Sequence, residues 1–516
     1  MKLDTHEVQK KPQIISGKMT RFLLYVNLLI ALIYFSWWFG FDHIDNPWLY
    51  SLLFIGEIYH VVMVLMFWFT IRRLGRTDIA ATASKQYYKP EIDVFVTVAG
   101  EPVDIVRTTI SAIKNTFYEN MHVYILNDSF AAGKPNWREY ESLAKELQVG
   151  CITRTDSTGA KAGNINHALQ MTGSEFVAIF DADMQPFPDF FIKSVPFLTD
   201  SKVGFVQSPQ YYANHSKNTV TAAAWEQQGF FFGPIMRGKN TSNAAFICGT
   251  NVIVRRKTLQ ESGGINEKSI AEDFLTSLYI HQKGWKSVYI PEILAQGLAP
   301  EDLLSYYKQQ LRWARGSVEI LFRHNPIFKN GLTINQRIEY LASTLYYCNG
   351  IIVLIDSVVP IMFLLFNLSP IHTATSTFAI FFLPFITSII YSLHLISQGE
   401  LTFRAISFTQ SSWYLQIQAV LSSILGKKME FSVTPKKAQT GNFLFLAYPH
   451  LAYVFIALFS IVYAVYRDGL TPAVITNTSW VLFNVVLFIP YIIASYSWLH
   501  TFKNIESTKN IINVTN

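Results

Sequence analysis

Two hydrophobic textures alternate along the chain. Long uncharged runs occupy both ends, and between them short apolar runs alternate with amphipathic stretches. Phe22–Phe41 carries no charge over a length that spans a bilayer, and it lacks the small-residue cleavage site of a secretory leader. Leu49–Ile71 is a second such run, interrupted by Glu57 and His60 and closed by Arg72, Arg73 and Arg76. Leu341–Phe366, Phe378–Leu395, Phe443–Tyr466 and Val481–Leu499 predict four more spans. Phe403–Leu425 is amphipathic and too polar to cross, so it is expected on the membrane surface. From about Ala80 to Pro300 the pattern changes. Ile92–Val98, Val123–Leu126 and Phe176–Phe180 predict strands, with helices over Val103–Thr116, Trp137–Leu147 and Lys161–Met171. That alternation predicts a doubly wound, Rossmann-like α/β domain inserted in an α-helical membrane domain of six spans.

Charge orients this layout. The arginines after the second run, and Lys427, Lys428, Lys436 and Lys437, fall on one side of the predicted spans. The turns DHIDNP and LSPIHTATST carry no Lys or Arg and fall on the other. The positive-inside rule then predicts a multi-pass plasma-membrane protein with its soluble domain and both termini in the cytoplasm. The expected divisions are a tail (1–19), a membrane hairpin (20–76), a soluble domain (80–300), interface helices (301–337), a second membrane region (338–504) and a tail (505–516). With 50% hydrophobic and 15% charged residues, an ordinary soluble enzyme is excluded. A net charge of +6 over 516 residues argues against a nucleic-acid partner. Cys151, Cys248 and Cys348 are too widely spaced for a disulfide framework or a zinc site.

The candidate chemistry gathers where predicted strands end. Phe176–Phe180 runs straight into Asp181 and Asp183. Ligands of open α/β sheets bind at that edge, and two acids there suit a divalent cation clamping a diphosphate. Solvated acids closing a strand would look the same. Asp128, after another strand, suits a nucleotide base or ribose, or simply a turn. The loop and helix TGAKAGNINHAL offers backbone N–H groups and Lys161 to a phosphate. Gln207, Gln210 and Tyr211 are of the kind that lines a carbohydrate groove. In Cys248-Gly249-Thr250 the glycine permits close backbone approach, while Cys248 has no partner motif for nucleophilic catalysis. Glu272 and Asp273 open a helix; they are either acids favoured by its dipole or, for Asp273, a general base. Gln309, Arg312 and Trp313 share one helix face, fit for a diphosphate and a sugar or for membrane anchoring.

Taken together, NDS, KAGN, DAD, QSPQ, FICGT, AED, GLAPEDL, QQLRW and FSVTPK, in that order, resemble the processive family 2 glycosyltransferases, and the cellulose synthase group most of all. The resemblance implies a GT-A fold. It gives nucleotide binding to Asp128, Lys161 and Asp181, and a Mg²⁺ or Mn²⁺ ion to Asp183 with Asp181. Asp273 with Glu272 becomes the catalytic pair, and Gln309 and Arg312 meet the diphosphate. Trp313, Gln207, Cys248, Gly249 and Thr250 face the acceptor sugar, and Thr434 and Lys436 belong to a gating loop over 428–442. The implied partners are a UDP-sugar, the growing polysaccharide and membrane lipids.

Three departures stand out: Asn127 replaces the first acid of an Asp-Asp pair, Ala271 replaces a threonine, and the chain ends soon after the sixth span. No cyclic-di-GMP-binding domain is therefore expected within it. The implied activity is inverting polymerisation of UDP-glucose into a β-glucan (cellulose-like, β-1,3-linked or a branched capsule) and its passage across the membrane. The rival readings are a UDP-N-acetylglucosamine-using synthase of the hyaluronan or chitin type, a single-transfer lipid glycosyltransferase, and a non-catalytic transporter. Glu57, His60 and Asp356, at membrane depth, suit either an interhelical bond or a polar cavity.

Overall fold

In the computed structural model, which describes residues 17–74, 88–399, 401–427, 439 and 441–496, the middle of the chain folds around a seven-stranded sheet. The strand order is Gly150–Thr153, Met121–Asn127, Ile92–Val98, Phe176–Asp181, Val252–Arg255, Val203–Gln207, Lys286–Tyr289. Phe176–Phe180 and all of Ile92–Val98 are buried, as continuous apolar runs must be when helices cover both faces of a sheet. The one acid in that core, Asp93, is paired with Arg256 and hydrogen-bonded by Ser174. Neighbouring strands are parallel except Val252–Arg255, which runs antiparallel to both partners. The Cys248–Asn251 turn lies beside the end of Phe176–Asp181, so the strand that follows it must run away from that edge. Gly249 (φ +78°) and Asn251 (φ +55°) make the reversal. A small second sheet, Gln185–Pro186, Ala295–Gly297 and Tyr211–Tyr212, carries the chain on beyond Asp183.

Six helices among the described residues are long and apolar enough to cross a membrane: Gly17–Trp38, Pro47–Ile71, Ile334–Phe366, Thr375–Ile396, Leu444–Asp468 and Pro472–Ala494. The third starts at Ile334 rather than Leu341, because Thr333 and Gln336 cap it reciprocally, and a 3-10 turn at Tyr346–Cys348 interrupts it. The last starts at Pro472 rather than Val481 and runs to Ala494 among the described residues; Leu499 lies outside them. Thr471 accepts from the Val474 amide at 3.3 Å, and Pro472 takes the first helical position. The two turns without Lys or Arg lie together: Asn46 N donates to Ser369 O at 3.0 Å, and Ile44 bridges Ile371. The surface stretch is two helices, Phe403–Ser411 and Trp413–Ile424. Trp413–Ile424 packs on Leu303–Arg323, a helix capped by Asp302 through Ser305 N at 2.8 Å. Leu303–Arg323 carries Gln309, Arg312 and Trp313, so one rigid rod links the sheet edge to the membrane helices.

Candidate active site

The site begins where Phe176–Asp181 stops. The Asp181 amide donates to Thr250 Oγ1 at 2.9 Å, and its carboxylate takes the Lys161 ammonium. Lys161 projects from the first turn of Ala160–Met171 and also donates to Gly249 O at 2.8 Å. Burial pulls this amine down, but the carboxylates of Asp181 and Glu272 outweigh it, so Lys161 stays a cation. Gly249 packs against the other side: a Cβ there would lie 3.2 Å from Asp273 Oδ2 and 3.5 Å from Lys161 Nζ. The fold thus gathers Asp181, Lys161, Gly249 and Asp273 from four separate stretches into one contact group.

Glu272 and Asp273 open the helix Glu272–Gln282. Burial, and then the neighbouring Asp273 charge, push Glu272 up to about 7. Burial also raises Asp273, opposed by the Phe274 N–H donated to its Oδ1 at 2.7 Å and by Lys161 and Arg312. Two acids tuned toward neutrality beside a fixed cation are poised for proton transfer. They face different spaces. Asp273 lines a cavity of about 470 Å³ with Gln210, Cys248 and Trp313, and this cavity continues to Phe67 and Tyr346 of the membrane helices. Glu272 lines a second cavity of about 280 Å³ with Lys161, Ser157 and Lys268.

Asp183 is fully buried and accepts the Leu298 N–H at 3.0 Å. Burial and the Asp183 charge raise the Tyr212 hydroxyl far out of the physiological range, and Gln309 is hydrogen-bonded to it. The Arg312 charge acts on Tyr212, Glu272 and Asp273 together. Among the described residues no group of three or more His, Cys, Asp or Glu side chains could hold a metal ion. The carboxylates of Asp181 and Asp183 are hard-oxygen donors that suit Mg²⁺ or Mn²⁺, an ion that normally completes its shell with phosphate and water.

Gln207 stands behind the Cys248–Thr250 turn rather than on its open face. It is fully buried, accepts Cys248 N–H at 2.9 Å and donates to Thr250 O at 2.8 Å, so its amide is used in shaping the turn. Thr250 is likewise buried under Asp181. The Cys248 thiol is pushed well above its usual range by burial and by Asp273, which leaves it inert. Asp128 is buried and bound by Arg154 Nε at 2.9 Å. Arg154 also donates to the carbonyls of Thr158 and Ala160 at 2.6 and 2.9 Å, so Asp128 acts on the phosphate-suited loop through it. A Cβ at Gly163 would meet Thr158 O at 2.1 Å, which requires the glycine. Asn127 donates to Trp137 O at 2.9 Å, a bond no aspartate could make. Thr434 and Lys436 lie outside the described residues. The chain on either side of them is held to Leu303–Arg323: Arg315 binds Lys427 O at 2.9 Å, and Asp302 accepts Gln439 N–H at 3.1 Å.

Arg154 and Tyr212 escaped the sequence reading. Arg154 sits in an unremarked TRT stretch, and Tyr212 is the neighbour of the tyrosine that QSPQYY suggested; Tyr211 instead packs on Trp225.

Residues 90–316 match the family model described as "Glycosyltransferase like family 2", and residues 259–467 match the one described as "Cellulose synthase". Over these residues the chain is similar to the family 2 glycosyltransferases and to their cellulose synthase group. The chain is 28% identical over 501 residues to a cellulose synthase catalytic subunit (UDP-forming) of Pseudomonas fluorescens (strain SBW25), covering 92% of this chain and 66% of that one. A protein of the same description from Xanthomonas axonopodis pv. citri (strain 306) is 32% identical over 304 residues, which are 57% of this chain and 41% of that one. The chain therefore spans less than two thirds of the length of these relatives. Among solved structures, the mannosyltransferase PcManGT from Pyrobaculum calidifontis, in complex with GDP-Man and Mn²⁺, is similar at a TM-score of 0.50 and 16% identity. The match covers 74% of this chain and 100% of that one, a likeness that shows the GT-A fold.

Proposed function

We propose that the chain is a processive, inverting polysaccharide synthase that extends a β-glucan from UDP-glucose and feeds it toward the membrane. The observation that carries this reading is the position of Asp273. It stands at the junction of the Lys161–Asp181 pair and a cavity that leads from Trp313 to the membrane helices. An inverting transfer needs a base on the acceptor side and positive charge on the leaving-group side, and this junction supplies both. Asp273 takes the proton of the acceptor hydroxyl; that oxygen bonds the anomeric carbon as the bond to the diphosphate breaks. Lys161 and Arg312 stabilise the departing diphosphate, and Gln309 positions it through Tyr212. Asp181 and Asp183 would hold a Mg²⁺ or Mn²⁺ ion, which would supply Lewis-acid neutralisation of the same group. Trp313 offers the acceptor sugar a flat apolar face, and the cavity beyond it takes the lengthening chain.

On this reading the catalytic domain and both membrane-flanking ends are cytoplasmic, where nucleotide sugars are available. Sugar choice is tested by UDP release from the purified full chain with Mg²⁺ or Mn²⁺, offered UDP-glucose or UDP-N-acetylglucosamine, followed by linkage-specific glucanase digestion. UDP-glucose is expected to support release, with product cut by a β-glucanase. Release from UDP-N-acetylglucosamine alone would move the protein to the hyaluronan or chitin type.

A further inference from the structure

The membrane helices hold a cluster of ionisable side chains with no part in the transfer chemistry. Glu57 and His60 lie one turn apart on Pro47–Ile71, and Asp356 lies on Asn349–Phe366. His60 Nδ1 stands 3.9 Å from Glu57 Oε2, and its Nε2 stands 3.7 Å from Asp356 Oδ2. Tyr34, from Gly17–Trp38, donates its hydroxyl to Glu57 Oε1 at 2.9 Å. Three apolar helices therefore meet around one imidazole held between two carboxylates.

Ionisable groups at membrane depth are costly unless paired or facing water. The side chains of His60 and Asp356 are 37% and 41% exposed. Acyl chains do not solvate charge, so the charged form of this cluster needs that exposure to open on water or saccharide, through which protons exchange. The cavity that leads from Trp313 lies next to the cluster. Met63 and Val64, which line it, follow His60 by three and four residues on the same helix face. Tyr59 donates to the carbonyls of Leu345 and Tyr346 at 3.2 and 3.3 Å, and Tyr346 lines the same cavity. The cluster and the cavity share two walls.

We propose that Glu57, His60 and Asp356 form a proton-binding site in the membrane that latches the first hairpin to the third span and sets the grip of those walls on the emerging polymer. The inference rests on reading the cavity as the polymer's exit. With the imidazole protonated, one positive charge lies between two negative ones and draws both helices together. Without that proton the attraction is gone and two carboxylates face each other across the ring, so the latch loosens as pH rises. The other titratable groups nearby are Tyr34, Tyr59, Tyr346 and Cys348. Lys239 and Glu339, on the remaining elements packed against Pro47–Ile71, gather at Thr70, ten residues from His60 or about 15 Å along the axis.

The test uses the full chain in nanodiscs with UDP-glucose between pH 6 and 9, scoring mean product length beside UDP release. Glu272 gives UDP release its own pH dependence, so length is the informative readout. The wild type is expected to make product at least threefold shorter at pH 9 than at pH 6. His60→Gln should give the short product at every pH and His60→Lys the long one, both with UDP release within twofold of wild type. Asp356→Asn, which removes the cross-span partner with little change in volume, should also give the short product throughout and serves if the lysine variant does not fold. Wild-type pH dependence of length in His60→Gln or Asp356→Asn overturns the proton site alone. Absence of polymer from the wild type overturns the exit reading and the proton site with it.

Discussion

Asp273→Asn separates the assigned base from everything around it. The substitution keeps the side-chain shape, and the asparagine Oδ1 still accepts the Phe274 N–H now held at 2.7 Å. What disappears is the proton-accepting charge beside Gly249. Removing a positioned general base costs about 10²–10⁴-fold in rate, which is about 3–5.5 kcal/mol of barrier. The upper half of that range applies here, because the neighbouring acid cannot take over. Glu272 lines the cavity with Ser157 and Lys268, whereas Asp273 lines the one with Trp313. UDP affinity should change less than about threefold, since Asp273 stands on the acceptor side. The assay pairs UDP release at saturating UDP-glucose with calorimetric UDP binding. A second signature follows from the charge: without Asp273 the Glu272 carboxyl loses one of the causes holding it near 7, so any residual rate should rise at lower pH. Polymerisation within tenfold of wild type would refute the assignment.

The other predictions rest on equally local arguments. Arg154→Met leaves Asp128 buried without its partner and releases the Thr158 and Ala160 carbonyls. Calorimetric unfolding should show a loss of about 3–5 kcal/mol, and the donor KM should rise at least tenfold with kcat less affected. Gly249→Ala imposes a side chain at φ +78° against Asp273 and Lys161; its strain of about 1–2 kcal/mol should lower Tm, and turnover should drop with it. Glu272 sits near 7 through burial and then Asp273, so if the doubly ionised pair is the active form, kcat/KM rises with pH through about 7, and Glu272→Gln abolishes that step. By linkage, a carboxyl raised in the folded state weakens the fold as pH climbs from the ordinary carboxylate range through 7. The same variant should therefore gain more Tm at pH 8 than at pH 5. Chelation should stop turnover, with Mg²⁺ or Mn²⁺ restoring it in wild type and failing to do so in Asp183→Asn.

Elements whose physics is local were readable in the chain. Ile92–Val98 and Trp137–Leu147 have the bounds that their apolar patterns predict, and the six long apolar helices follow from hydropathy. Where helix ends differ, side-chain caps at Thr333 and Thr471 decided the matter, and hydropathy does not see a cap. The strand after the Cys248-Gly249-Thr250 turn, Val252–Arg255, is legible in the sequence, but its reversed direction is not, because a turn at the sheet edge sets it, a long-range condition. The candidate site shows the same division. Asp181, Asp183 and Asp273 were legible because each sits at an element boundary, where a change of residue type is conspicuous. Arg154 and Tyr212 were not, because their importance lies in partners distant in sequence: Asp128 for one, Asp183 and Gln309 for the other. Gln207 looked like a sugar contact because an exposed and a buried amide are spelled alike; only the fold reveals that its hydrogen bonds are taken. The roles of Thr434 and Lys436 fall on chain outside the described residues.

Processive polymerisation at the Asp273–Trp313 junction is the central claim, and product size at low turnover tests it most directly. Purified full chain in nanodiscs, given Mg²⁺ or Mn²⁺ and radiolabelled UDP-glucose, would be stopped after a small fraction of donor is consumed and its products sized. The account predicts high-molecular-weight glucan from the earliest times, with more chains rather than longer intermediates accumulating later, and markedly shorter product from Trp313→Ala. Label confined to single-sugar or lipid-sized products at every time would contradict it.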